Sequence, residues 1–384
     1  MMIEWNEQGE VRAARWRSES GAPAPKRVLL ADDTLSADTA YRHACAGTAL
    51  LWRGDFQNAR LLLQALMRRV ERKPAKAAAR AAAKRSEATP EQAFHLHRQA
   101  QSQRARTLAS IVIQIEGDYR IALRRAPDWV QACTQAWGPA NGQPQVVSLR
   151  ELLGLVGAYE WRKKGVEIAA LGADARIHPH YGVFSPVRGE YIALVAQAPL
   201  PSQELAFDIG TGTGVLAAVL ARRGVRHIIA TDNAPRALAC AQDNLQQLGY
   251  GQQVQVQQAD LFPAGQAPLI VCNPPWLPAR PNSPLEQAVY DEGSRMLRGF
   301  LAGLAAHLTP DGEGWLILSD LAEHLGLRPR EQLLGWIADA GLRVLERHDT
   351  HPQHPKVQDS SDPLHAARAA EVTSLWRLAV AAAA

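Results

Sequence analysis

The chain has 384 residues, 47% of them hydrophobic and 21% charged, with 42 Lys and Arg against 38 Asp and Glu. That length allows one large or two ordinary domains with a packed core. Cys45, Cys133, Cys240 and Cys272 are too scattered for a zinc set or a disulfide framework, Met1–Glu10 lacks the apolar core of a signal peptide, and no apolar run approaches the ~18–20 residues of a membrane span, so a cytoplasmic protein without metal is expected.

The charge is unevenly spread. Met1–His180 holds 27 Lys and Arg against 18 Asp and Glu, a net of +9, and Tyr181–Ala384 holds 15 against 20, a net of −5, which together give +4. A basic front half suits contact with a polyanion such as RNA; solvated helix faces in an Ala- and Arg-biased composition explain it equally well.

In chain order, Met1–Pro25 is polar and poorly periodic and reads as a loose, peripheral start. Arg27–Asp32 is a candidate short strand. Leu50–Val70 contains a helical pattern, with Ala59, Leu62, Leu63, Leu66 and Met67 on one face and Asp55 or Asn58 as its cap. Residues 68–88 are rich in Ala, Lys and Arg and read as a solvent-exposed helix or disordered insert, with a phosphate-contacting arm as the functional alternative. Thr89 and Pro90 open a further helix, Ile111–Ile115 is strand-like, and Trp129–Trp137 and Leu149–Trp161 are helical. Residues 1–164 are therefore expected to form a mainly helical, basic domain with one or two strands.

Residues 165–204 read as a joint, a hairpin over VEIAAL and GADAR followed by a Pro- and Gly-rich, lid-like segment at Gly182–Pro186. His178 with His180, and His351 with His354, have no third ligand nearby and read as ordinary loop histidines. From Leu205 strand and helix alternate to a last strand-like segment, Thr373–Val380. The fold class expected is α/β, a doubly wound, mostly parallel sheet over 205–384 that binds ligands at the carboxyl ends of its strands.

Two stretches carry the chemistry. Ala206–Val215, AFDIGTGTGV, reads as a buried strand ending near Asp208 and running into Gly210, Thr211, Gly212, Thr213 and Gly214. This G-x-G-x-G spacing is one residue tighter than the dinucleotide fingerprint. Asp232, with Asn233 beside it, ends the next strand, where a carboxylate accepts both hydroxyls of a ribose. Asp260 ends the third, and its neighbourhood, Leu261 included, can border an adenine. Leu269–Pro278, LIVCNPPWLP, then ends a fourth strand in Asn273-Pro274-Pro275-Trp276.

Together these stretches resemble the class I S-adenosylmethionine-dependent methyltransferases of the Asn-Pro-Pro-aromatic branch, over roughly Arg176 to the C-terminus. The resemblance implies a Rossmann-like methyltransferase sheet with an antiparallel final strand, and S-adenosyl-L-methionine as cofactor. Methyl transfer to a planar nitrogen needs its delocalised lone pair oriented. Acceptors at the Asn273 side-chain oxygen and the Pro274 carbonyl do this, Pro275 helps stiffen the loop, and Trp276 offers a face for stacking. Tyr181–Leu194, YGVFSPVRGEYIAL, is similar both to the Pro-Arg-Pro-x-x-Glu segment of release-factor and ribosomal-protein glutamine methyltransferases and, through Gly182–Ser185, to the start of the catalytic half of ribosomal-RNA guanine methyltransferases. It places Tyr181, Phe184 and Arg188 as substrate contacts. The expected partner is RNA or a translation-related protein, with the basic front half favouring an RNA base. A non-catalytic nucleoside-binding module and, further off, an NAD-dependent oxidoreductase are the other readings.

Overall fold

In the computed structural model the residues described are 1–71, 88–281, 285–353, 359–360 and 362–382. Residues 72–87, which make up most of the basic stretch 68–88, and His354 lie outside them. The chain divides into two compact units, Met1–Glu160 and Trp161–Ala384. Among the described residues no helix is long and apolar enough to cross a membrane.

Among its described residues the first unit is framed by six strands, where one or two are expected. They are β1 (Met2–Glu7), β2 (Glu10–Arg17), β3 (Val28–Ala31), β4 (Ala49–Trp52), β5 (Ile111–Ile115) and β6 (Gln145–Ser148), ordered β1-β2-β6-β5-β4-β3. Among the described residues five helices accompany them: α1 (Ala37–Cys45), α2 (Phe56–Glu71), α3 (Pro90–Leu108), α4 (Val130–Trp137) and α5 (Leu149–Lys164). Helices still hold more of this unit than strands do, but the sheet organises its core. Leu50, Trp52, Ile111 and Ile113 pack on one face against Phe56, Ala59, Leu62, Leu63 and Leu66 of α2. Ala49, Leu51 and Val112 face the other way with Ile3, Trp5 and Ala14. The loose start expected over the first 25 residues is instead an antiparallel hairpin pairing Ile3 with Ala14 and Trp5 with Arg12. Only a few apolar residues per strand turn inward, too few to impose a period on so polar a stretch. β4 and β6 escape for the opposite reason, since all four residues of each are buried and such a run has no alternation.

Helix starts follow local chemistry. Thr89 and Gln92 form a reciprocal capping box at α3, with Pro90 in its first turn. At α2 it is Asp55 that accepts from Gln57 N, at 2.9 Å, whereas the Asn58 amide donates to Asp33.

The second unit opens with a two-stranded hairpin, β7 (Val166–Glu167) and β8 (Arg176–Ile177), and then α6 (Glu190–Gln197). The main sheet follows as β9 (Leu205–Ile209), α7 (Val215–Arg222), β10 (His227–Asp232), α8 (Pro235–Gln247), β11 (Val254–Gln258), β12 (Ala267–Cys272), α9 (Arg295–His307) and β13 (Leu308–Ser319). It closes through α10 (Leu321–His324), α11 (Arg330–Asp339), β14 (Leu342–Thr350), α12 (His365–Ala370) and β15 (Thr373–Val380). The strand order is β11-β10-β9-β12-β13-β15-β14, parallel except for β15, which runs antiparallel to both neighbours.

Alternation along the strands feeds two cores. Ala206, Leu269, Val271, Trp315 and Ile317 pack with α6 and α7, while Phe207, Ile270, Cys272, Leu316 and Leu318 pack with α9 and α11. Helices on both faces make this the doubly wound α/β sheet expected. The strand order reverses direction between β9 and β12, which pair directly, so the glycine turn after β9 and the Asn-Pro-Pro-Trp loop after β12 meet at the crevice where such sheets hold ligands.

Candidate active site

Asp208 sits one residue before the end of β9 and is fully buried. Its Oδ2 accepts from Thr211 Oγ1 at 2.6 Å and from Ala217 N at 3.1 Å, tying the strand to the first turn of α7. Burial pushes this carboxyl up to about 6, with Asp232 adding to the rise and the two hydrogen bonds opposing it. Gly210, Gly212 and Gly214 all have positive φ, at 71°, 55° and 80°. A Cβ on Gly210 would stand 2.4 Å from Met296 Cε, and one on Gly214 would stand 3.2 Å from the Ala241 Cα of α8. Glycine is therefore required for conformation and for closeness at once. Thr211 N donates to Thr231 O at 2.8 Å, anchoring the turn to β10.

Asp232, at the end of β10, accepts from Gly212 N at 3.1 Å and from Ala234 N at 2.9 Å. These amides fix the carboxylate beside the turn and leave it lone pairs for hydroxyl donors. Asp260 is solvent-facing after β11, and Leu261 beside it holds φ 74°. That backbone is uncommon for a side chain other than glycine, and Thr231 Oγ1, donating to Leu261 O at 2.6 Å, pins it.

One cavity of about 910 Å³ gathers these groups with the Asn-Pro-Pro-Trp loop. Asp208, Gly210, Thr211, Gly212, Thr213, Asp232, Asn233, Asp260 and Leu261 line it, and so do Asn273, Pro274, Pro275 and Trp276. Phe184 of the lid-like segment and Arg188 just after it line it as well. Two of the expected contacts lie outside the wall. Gly214 is turned toward α8, so its missing side chain serves helix packing. The Tyr181 ring carries the Arg236 guanidinium at 5.5 Å instead of facing the cavity.

The loop itself is tightly specified. Trp276 Nε1 donates to Asn273 Oδ1 at 2.9 Å. An indole N–H is only a donor, so this contact sets which way the Asn273 amide faces and leaves one lone pair of its oxygen open. Trp276 also packs against both cores and lies under the Arg188 guanidinium, at 5.8 Å from the ring centroid. The loop is closed beyond Trp276 by Asp291 N, which donates to Leu277 O at 2.9 Å, while Asp291 Oδ2 accepts from Met296 N at 2.8 Å at the start of α9.

Residues with no signature in the sequence complete the wall, notably Tyr191, Arg236, Tyr290, Met296, Arg368 and Glu371. Only a helical or strand context marks them, and it takes the sheet order to bring them here. The histidines stand apart. His178 Nδ1 meets Arg162 O at 2.7 Å and His180 Nε2 meets Asp243 at 3.0 Å. Among the described residues no group of three or more His, Cys, Asp or Glu could hold a metal.

Comparison with known proteins places this arrangement. Residues 174–328 match the family model for the methyltransferase small domain. A release factor glutamine methyltransferase from Cereibacter sphaeroides is 32% identical over 149 residues, which is 35% of this chain and 51% of the relative. A tRNA1(Val) (adenine(37)-N6)-methyltransferase from Shewanella putrefaciens is 31% identical over 172 residues, 42% of this chain and 71% of the relative. The chain thus spans about half the length of the first of these relatives and more of the second. The solved ribosomal protein L11 methylase of Lactobacillus delbrueckii subsp. bulgaricus superposes on 53% of this chain and 85% of its own with a TM-score of 0.38 and 17% identity. On the matched segment and the Shewanella relative, the chain belongs to the methyltransferase small domain family of class I S-adenosylmethionine-dependent methyltransferases.

Proposed function

We propose that the protein transfers a methyl group from S-adenosyl-L-methionine to a planar nitrogen of an RNA base. The observation that carries this reading is the single cavity in which the glycine turn and the acidic strand ends face Asn273-Pro274-Pro275-Trp276. The residues present fit the cofactor. Around the left-handed turn a Cβ on Gly212 would have nothing closer than 4.0 Å, so space lies open there. Asp232 is held by two amides, ready to accept ribose hydroxyls, and Leu261 offers an apolar edge to an adenine. When bound, the cofactor supplies an electrophilic methyl group on a sulfonium.

The chain's own residues do the rest. An exocyclic amine or amide is a poor nucleophile because its lone pair is delocalised. The open lone pair of Asn273 Oδ1 and the Pro274 carbonyl accept its two N–H groups, which turns the nitrogen lone pair toward the donor side of the cavity. Pro274 and Pro275 bring no backbone N–H to compete for those acceptors. Trp276, locked to Asn273, keeps that geometry fixed.

RNA is favoured over protein by the +9 net charge of the first 180 residues. The glutamine of a translation factor is the second reading, supported by the similarity to a release factor glutamine methyltransferase. Labelled methyl transfer to cell extract, split by RNase and by protease before counting, separates the two. Label lost only to protease would overturn the RNA reading. Asn273→Ala should lower turnover roughly 100- to 1,000-fold, as the loss of one positioned group does, while cofactor binding stays as in the parent. Unchanged turnover would remove Asn273 from the chemistry.

A further inference from the structure

The cavity wall includes a residue, Glu371, that belongs to neither the glycine turn nor the Asn-Pro-Pro-Trp loop. Glu371 lies two residues before β15, and because β15 runs against its neighbours, its start lies at the same sheet edge as the ends of β9, β12 and β13. Val372 and Asp320 bond reciprocally there, Val372 N to Asp320 Oδ1 at 2.7 Å and Asp320 N to Val372 O at 3.0 Å. The Glu371 side chain is wholly inaccessible to solvent, and that of Arg188 is 20% exposed. Glu371 Oε1 accepts from Ser319 Oγ at 2.8 Å and from Arg188 Nη1 at 3.1 Å. Ser319 is itself fixed, its oxygen accepting from Leu321 N at 3.0 Å.

A carboxylate buried this deeply is tolerated when charged donors hold it, and here the cation is the one stacked on the Asn-Pro-Pro-Trp loop. The contacts form an unbroken chain: Ser319 to Glu371, Glu371 to Arg188, Arg188 over the Trp276 ring, and Trp276 Nε1 to Asn273 Oδ1. The chain joins the end of β13, the approach to β15, the stretch between the lid-like segment and α6, and the Asn-Pro-Pro-Trp loop. Arg188 has many rotamers available, and a flexible guanidinium holds the indole in place only if its other end is tethered.

We infer that Glu371 and Arg188 are positioning residues, which hold Trp276 and through it set the orientation of Asn273 toward the methyl-accepting nitrogen. The inference rests on the reading of Asn273 as the acceptor of the substrate N–H groups. It applies whether that substrate is RNA or protein.

The test is a double-mutant cycle on methyl transfer, with the cofactor dissociation constant measured by calorimetry on the same proteins. The acceptors are total RNA and total protein from cells in which the gene is deleted, and the cycle runs on whichever the parent enzyme labels. Glu371→Ala and Arg188→Ala should each lower kcat by roughly tenfold, the effect of losing one charge-assisted hydrogen bond. The double variant should be no slower than either single one. Glu371→Gln, whose amide oxygen still accepts from both donors, should keep most of the activity, and cofactor affinity should hold throughout. Losses that multiply, equal damage from Glu371→Gln and Glu371→Ala, or cofactor binding that weakens in step with kcat would each overturn the positioning role. Should Glu371→Ala fail to fold, Arg188→Lys against Glu371→Gln provides the same cycle. Label in protein alone would refute the RNA reading and leave this one to its own cycle, while label in neither fraction would overturn both.

Discussion

Asp208→Asn should stabilise the protein, and only above a definite pH. The carboxyl is fully buried and pushed up to about 6 from an ordinary 3.8. Burial is the main cause, Asp232 adds to it, and the Thr211 and Ala217 hydrogen bonds hold it back. Because the folded-state value lies above the unfolded one, the folded state binds more protons between the two, and stability falls as pH rises through that window. Above about pH 6 the full penalty is present, about 3 kcal/mol for a rise of this size. Asn is neutral at every pH, and its single oxygen can keep both hydrogen bonds because Thr211 and Ala217 share one carboxylate oxygen. Urea denaturation of parent and variant should therefore differ by up to about 3 kcal/mol in favour of the variant near pH 7.5, by roughly half that near pH 5, and hardly at all below about pH 4. A variant that is less stable than the parent at every pH would refute the burial argument.

The remaining predictions concern single contacts. Gly214→Ala should lose about 1–3 kcal/mol, because φ is 80° and the new Cβ meets the α8 backbone at Ala241; an unchanged urea midpoint would show that the turn relaxes. Asp232→Ala should weaken S-adenosylmethionine binding by roughly 10- to 100-fold in calorimetry, and full affinity would remove Asp232 from the ribose site. In the sheet, Glu313 takes a two-pronged contact from Arg377, at 2.8 and 2.7 Å, and an indole bond from Trp315 at 2.9 Å. Glu313→Ala should cost about 1–3 kcal/mol through the lost charge-assisted bonds, since Arg377 keeps Glu346 at 2.6 Å, and Glu313→Ala with Arg377→Met should recover part of it; equal stability of the single variant and the parent would count against the pair.

The second unit was legible because its strands announce themselves. LAFDI, HIIATD and LIVC are apolar runs with an Asp or Asn at or beside their ends, separated by helix-length segments, and that regularity marks both the sheet and its ligand edge. The first unit lacked such punctuation, so Ile3 and Trp5 could not mark a strand and the four buried residues of β4 could not be told from a helix start. Within the site, residues adjacent to a motif were readable and those brought in by topology were not. Glu371 follows an Ala-rich helix by one residue and meets Arg188 only because β15 is reversed. The Trp276 indole bond to Asn273 was invisible for another reason: the sequence fixes their three-residue spacing, but only the loop's folded path turns the N–H inward.

The placement of β15 also governs when the molecule can come together. It lies between β13 and β14, though it follows both in the chain. While a ribosome is still adding residues 373–380, β14 has no partner to join, because it touches the rest of the sheet through a strand that has not yet emerged. Synthesis at about 5–20 residues per second leaves that gap open only for seconds, but during them the half-built sheet presents the raw edge of β13. Glu371 arrives with the same segment, so the tether on Arg188 and the last strand are put in place by one event. A nascent chain therefore carries every residue of the Asn-Pro-Pro-Trp loop well before it can hold that loop still.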